Sequence, residues 1–266
     1  MSKIAIIGQG YLGTAYSKIF EDAVIYDEPK GIGNRDEVNK CDMALVAVPT
    51  DPLPNGELDM SIVEGVVDWL ETPLILIKSA LMPGTVTRLI EKTGKKIAVS
   101  VEYIGMGKYY LDPSKYPDPL DPQKHKLLVI GGETEVAEKC ASILWSKMSP
   151  ETRIHIVLPK EVETCKLIEN FYGAMKVTFA NCFKSLCDKT EISFIRTHQA
   201  WSEDGRTDPM HTRVIEGKRG WKSHCYSKDI QALQTYAENQ GVDDMAKLVK
   251  TIIELNNEHL KLNENS

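Results

Sequence analysis

Lys3-Ile4-Ala5-Ile6-Ile7-Gly8-Gln9-Gly10-Tyr11-Leu12-Gly13 is the stretch whose reading decides the fold. A short isoleucine-rich run meets G-x-G-x-x-G, and residues 12–20 then carry a helical apolar pattern. The order is strand, glycine turn, helix. Glycines at these spacings admit a tight turn and a close backbone approach, and the helix start offers N–H groups to a pyrophosphate. The next apolar run, 23–26, ends at Asp27, 19 residues beyond Gly8. A carboxylate there accepts hydrogen bonds from ribose hydroxyls and repels a 2′-phosphate, which favours NAD over NADP. A glycine turn that only packs strand on helix is the bland alternative; position, spacing and acid together favour the dinucleotide.

Working outward, apolar runs at 43–48, 74–77, 97–100 and 127–130 alternate with helical patterns such as 12–20 and 61–69. Runs without polar alternation suit strands buried on both faces, so the first part reads as a Rossmann-type doubly wound parallel α/β sheet. From about residue 160 the texture changes to a long helical pattern, 161–189, then a polar stretch, 196–220, and two helices near 226–239 and 243–260. The expected division is a dinucleotide-binding domain, 1–155, and an all-helical domain, 156–266. The apolar stripe Met245, Leu248, Val249 and Ile252 is compatible with a dimer interface, although a helical stripe is more often intrachain core.

A formal charge of −6 gives no overall basic field for nucleic acid or a membrane surface. No apolar run approaches the length of a bilayer span, and the N-terminus lacks the pattern of a signal peptide. Cys41, Cys140, Cys165, Cys182, Cys187 and Cys225 show no metal-ligand spacing. They read as reduced thiols of a cytoplasmic protein, with no metal expected.

Cys225 falls at the expected start of a helix with Lys222, His224 and Lys228 close in sequence, surroundings that favour a thiolate. The other five cysteines read as inert packing. Lys166 and Asn170 are one helical turn apart, as are Cys225 and Asp229. An ammonium and an amide on one face suit an oxyanion. Taken in isolation, such a pair reads rather as a solvated lysine and a capping asparagine.

Several stretches together resemble the UDP-glucose/GDP-mannose dehydrogenase family. They are Val46-Ala47-Val48-Pro49-Thr50 with Asn55-Gly56-Glu57-Leu58-Asp59, Lys78-Ser79-Ala80-Leu81-Met82-Pro83-Gly84-Thr85, Glu102-Tyr103, Lys166-Leu167-Ile168-Glu169-Asn170, and Cys225-Tyr226-Ser227-Lys228-Asp229. The resemblance implies that Gly8, Gly10, Tyr11, Leu12, Gly13, Asp27, Val48, Pro49, Thr50, Ser79 and Lys228 surround NAD. It implies that Cys225 is the nucleophile, that Lys166 and Asn170 contact substrate and its oxyanion, and that Asp229 orients water or the lysine. Glu102 is then the candidate general base, with a simple polar strand-end residue as the alternative. The implied reaction is oxidation of a nucleotide sugar, by default UDP-glucose to UDP-glucuronate. A thiol can hold the intermediate aldehyde as a thiohemiacetal and then as a thioester between two hydride removals. The resemblance also implies a homodimer through the central helices.

The departures bear on substrate. Ala80 stands where the family has Thr, Met106 where it has a second Glu, and Lys222-Ser223-His224 where it has a Gly-Gly-Ser type of segment. The interval between Asp27 and Met43 is short, which implies a lost helical piece, and the family's third α/β domain is not expected in 266 residues. Arg206, Arg213, Lys218, Arg219 and Lys222 are candidates to replace lost diphosphate contacts, or form a solvated basic loop. Two other readings stay open: a two-electron β-hydroxyacid-type dehydrogenase, and a catalytically silent NAD-binding partner protein.

Overall fold

The computed structural model describes residues 2–102, 121–215 and 217–263. The chain divides into two compact units, Met1–Leu53 with Leu58–Lys166, and Pro54–Glu57 with Leu167–Ser266.

In the first unit, β1 (Ile4–Ile7), β2 (Val24–Tyr26), β3 (Met43–Val46), β4 (Leu74–Ile77), β5 (Ile97–Val99), β6 (Leu127–Gly132) and β7 (Arg153–Val157) form one sheet in the order β2-β1-β3-β4-β5-β6-β7. All pairings are parallel except β5–β6, where Ala98 lies opposite Gly132 in an antiparallel register. Every residue of β1, β3 and β4 is buried, as central strands covered on both faces require. The helices are α1 (Tyr11–Ile19), α2 (Arg35–Asn39), α3 (Ser61–Trp69), α4 (Thr85–Thr93) and α5 (Thr134–Trp145). The core joins Ile4, Ile6, Met43, Leu45 and Leu76 of the sheet to Tyr16, Ile19 and Phe20 on one side and Val136, Cys140 and Leu144 on the other. The chain leaves β1 for β2 and returns across it to β3, so the strand order reverses between β1 and β3, where ligands of open α/β sheets bind.

The Rossmann-type reading therefore holds, with two additions. The β2–β3 connection keeps a five-residue helix, α2, whose N-cap Asn34 side chain accepts the Glu37 N–H at 2.9 Å. The second addition is β7, an edge strand with four of its five residues exposed.

The helix α6 (Pro159–Lys189) starts in the first unit and continues into the second, which also holds α7 (Phe194–Ser202), α8 (His224–Asn239) and α9 (Asp243–Leu262). Residues 54–57, although flanked by sheet-unit chain, belong to the helical unit. The Thr235 hydroxyl donates to the Asn55 carbonyl at 3.3 Å, and the Asn239 amide to the Glu57 carboxylate at 3.3 Å. The α9 stripe is mostly intrachain core, because Val249 and Ile252 are buried and Leu248 alone is clearly exposed. The apolar side chains exposed along α6 are Ile168, Tyr172, Phe179 and Leu186, in the 3–4 rhythm of a helix seam that also passes through Cys165.

Candidate active site

Gly8 follows β1 with φ +92°, and a Cβ there would stand 2.5 Å from the Ala47 carbonyl oxygen. A Cβ on Gly13 would stand 1.8 Å from the Gly8 oxygen. Neither position accepts a side chain, so the turn is pressed against both β3 and α1. Gly10 is the N-cap of α1, which has no side-chain cap. The Gln9 N–H donates to Asp27 Oδ2 at 2.7 Å, while its Nε2 is buried with no hydrogen-bond partner among the described residues. An uncapped helix start, a turn without side chains and a buried orphan donor fit a dinucleotide pyrophosphate. Around this turn Tyr11 is exposed, Leu12 and Val48 are half-buried, Pro49 is exposed and Thr50 is buried. The Ser79 hydroxyl donates to the Val48 carbonyl at 2.7 Å and ties the two neighbouring loops together.

Glu102 sits just beyond β5. Its Oε2 accepts the Tyr16 hydroxyl at 2.5 Å and pairs with Lys78 Nζ at 3.0 Å, while its main-chain oxygen accepts Lys166 Nζ at 2.7 Å. Lys78 also donates to Ser100 Oγ at 3.2 Å and lies 5.1 Å from the Tyr16 ring centroid. Burial acts to raise the Glu102 pKa, but the Lys78 ammonium and the Tyr16 hydroxyl outweigh it and hold the carboxyl below its ordinary value. Burial lowers Lys78 and, together with the Glu102 charge, raises Tyr16. This revises the general-base reading of Glu102. A carboxylate already engaged by an ammonium and a phenol is a weak proton acceptor, while the main-chain oxygen of the same residue anchors Lys166. Tyr103 and Met106, the other residues read near this point, lie outside the described residues.

The helical unit holds a second polar centre. Asn170 Nδ2 donates to Asp229 Oδ2 at 2.6 Å, and Lys228 Nζ to Asp229 Oδ1 at 2.6 Å. Asn170, Lys228 and Asp229 are all buried. Ser223 caps α8 by accepting the Tyr226 N–H at 3.2 Å, which places half-buried Cys225 in the first helical turn, one turn before Asp229.

The basic loop divides. Arg213, Lys218 and Lys222 are exposed, and Arg206 is paired with Asp204. Arg219 is withdrawn from any phosphate role: its guanidinium donates to Asn181 Oδ1 (2.8 Å), the Asn181 carbonyl (2.8 Å) and Ser185 Oγ (2.6 Å), with Asp188 3.7 Å away. These acceptors lie on α6, and the side chain is only 13% exposed. Among the remaining cysteines, Cys41, Cys140 and Cys187 are buried, and burial pushes the Cys140 thiol up to about 12. Cys165 is exposed, contrary to a packing role.

Four residues gain roles that the sequence did not disclose. Tyr16 and Lys78 are the partners of Glu102. Gln9 supplies the orphan amide. Glu163, on α6, accepts the Val86 N–H at 2.8 Å and the Gly84 N–H, so it caps α4 from another helix. Burial raises the Glu163 carboxyl to about 7 against those two N–H bonds. A lysine within the Leu74–Ser79 run was the available signal for Lys78, since a buried lysine demands an acid.

Residues 160–258, which contain Lys166, Asn170, Cys225 and Asp229, match the profile of the UDP-glucose/GDP-mannose dehydrogenase family, central domain. A UDP-glucose 6-dehydrogenase of Haloferax volcanii is 21% identical over 96% of this chain and 69% of its own length. One from Glycine max is 22% identical over 72% of this chain, which spans 40% of that relative. The solved structure of a UDP-glucose dehydrogenase from Pyrobaculum islandicum superposes with a TM-score of 0.80 at 20% identity, over 97% of this chain and 68% of that one. The glycine turn lies in the sheet unit, and the Lys-Asn and Cys-Lys-Asp segments lie inside the region that matches the central domain of this family.

Proposed function

We propose that this chain oxidises the primary alcohol of a nucleotide sugar, with UDP-glucose to UDP-glucuronate as the default pair and NAD as the cofactor. The observation that carries the proposal is the buried Asn170–Asp229–Lys228 centre one turn beyond Cys225, inside the family-matched segment. The glycine turn, Asp27, Thr50 and Ser79 would hold the dinucleotide, which supplies a hydride acceptor when bound. Lys166 and Asn170 stabilise negative charge on the substrate oxygen as its hydroxyl loses a proton and its carbon gives up a first hydride to the bound acceptor, leaving the aldehyde. The Cys225 thiolate adds to the aldehyde carbon and holds the sugar as a thiohemiacetal. Loss of a second hydride leaves a thioester, and water cleaves it to the acid and the free thiol. Asp229 fixes the positions of Asn170 and Lys228 throughout.

A second reading, a two-electron oxidation, is favoured by one observation: Glu102 is engaged by Tyr16 and Lys78 and is poorly suited to activate water. A screen of nucleotide sugars, read by NADH yield and product mass, tests both. Two NADH per acid formed supports the first reading, and one NADH per aldehyde the second. Cys225→Ser is expected to abolish acid formation, a loss of about 10³-fold or more. Full activity of that variant would overturn the thioester route. The proposal includes a homodimer, supported by the exposed α6 stripe; Phe179→Glu with Leu186→Glu should yield monomers in sedimentation. Among the described residues no helix is long and apolar enough to cross a membrane.

A further inference from the structure

The end of β2 carries a basic group that a simple ribose-binding aspartate does not require. Asp27 and Ile32 bond reciprocally through their main chains at 3.0 Å in both directions, closing a tight turn. The turn folds Lys30 back over the glycine loop. Its ammonium donates to the Gln9 carbonyl and stands 4.0 Å from Asp27 Oδ2. The Asp27 carboxylate is also occupied, by the Gln9 N–H at 2.7 Å and the Lys30 N–H at 3.0 Å. The other acid of the turn, Glu28, is paired with Arg35 at 3.3 Å. Each carboxylate here thus has a cation beside it, and the charge of the ribose end is balanced.

An aspartate at this position discriminates against a 2′-phosphate through like-charge repulsion and competition for the ribose hydroxyls. Both effects are weakened here. An ammonium has three N–H donors, of which the Gln9 carbonyl takes one. The Lys30 side chain is 53% exposed, so its head is reachable from solvent, whereas the Asp27 side chain is 10% exposed. A surface lysine that merely paired with Asp27 would point at the carboxylate; this one is anchored on the main chain of the glycine turn.

We propose that Lys30 is a cofactor-specificity residue whose ammonium offsets Asp27 and receives the 2′-phosphate, so that the site binds NADP(H) alongside NAD(H). This rests on the dinucleotide part of the proposed function and is independent of the sugar. The test is fluorescence titration of the full chain with NADH and with NADPH at one fixed ionic strength, since phosphate contacts are screened by salt. The wild-type chain should bind the two within about tenfold of one another. Lys30→Ala should weaken NADPH by about tenfold or more and leave NADH within about threefold, and Lys30→Arg should retain NADPH. Discrimination of about 100-fold for NADH by the wild type, or equal loss of both ligands in Lys30→Ala, would overturn the assignment while leaving the NAD reading intact. Absence of saturable binding by either dinucleotide would remove the cofactor reading and the role of Lys30 together.

Discussion

Glu102 in the sheet unit and Asp229 in the helical unit are both mostly buried carboxylates bonded to a buried lysine, yet they are assembled in opposite ways. Asp229 takes its lysine from the adjacent residue and its amide from Asn170 of α6, so the helix that carries Cys225 holds most of its own polar centre. Glu102 takes Lys78 from the end of β4, Tyr16 from α1 and, through its carbonyl, Lys166 from α6. The first arrangement survives as long as one helix contact does. The second depends on the sheet unit being fully folded. The difference teaches that a short motif can specify a helical centre, whereas a strand-end centre is specified by the whole topology.

The sharpest way to break the helical centre is Asp229→Ala. It leaves Lys228 and Asn170 without their buried acceptor and should cost about 3–5 kcal/mol, read as a fall in denaturation midpoint. In the sheet unit, Glu163 offers the contrasting case of a buried carboxyl held mainly by backbone N–H groups. Its folded pKa of about 7 lies above the ordinary 4.5, so the folded state retains a proton that the unfolded chain releases between those values. Stability should therefore fall as pH rises through that window, by at most about 3 kcal/mol, and level off above it. Glu163→Ala should flatten that slope in melts run from pH 4 to pH 8, at some cost in stability throughout. Arg219→Ala should lower the melting temperature through loss of its α6 bonds, about 2 kcal/mol, with substrate KM little changed. The smallest effect sharpens the comparison most. Tyr16→Phe keeps the ring, removes one bond to Glu102, and should destabilise by about 1 kcal/mol while raising the Glu102 pKa. NMR titration of that carboxyl would show it.

How much was legible in the sequence follows the same division. The glycine turn, the buried strands and the long helices announce themselves because each depends on a local pattern: φ > 0 at Gly8, continuous apolar runs, helical periodicity. The first-turn position of Cys225 followed from the same kind of signal. The strand β7 did not, because Arg153-Ile154-His155-Ile156-Val157 alternates as an exposed edge strand and lacks the apolar run used to find the others. Partners joined only by folding were also hidden. Nothing local links Tyr16 to Glu102 or Arg219 to Asn181, so Glu102 reads as a base and Arg219 as a phosphate ligand until their partners are seen. The α9 stripe was ambiguous for a related reason: an apolar face states that something covers it, not what.

The placement of residues 54–57 has a practical consequence. Because this tetrapeptide belongs to the helical unit while its flanks belong to the sheet unit, the chain passes between the units three times, near 53–54, 57–58 and 166–167. One proteolytic nick at the α6 crossing would leave the strap on the N-terminal fragment, joined to α8 only by hydrogen bonds. A helical fragment expressed from residue 167 onward would expose the face of α8 to which Asn55 and Glu57 bond. Any attempt to graft this helical unit onto a different sheet unit therefore has to carry those four residues with it, inserted in the recipient's own β3–α3 loop.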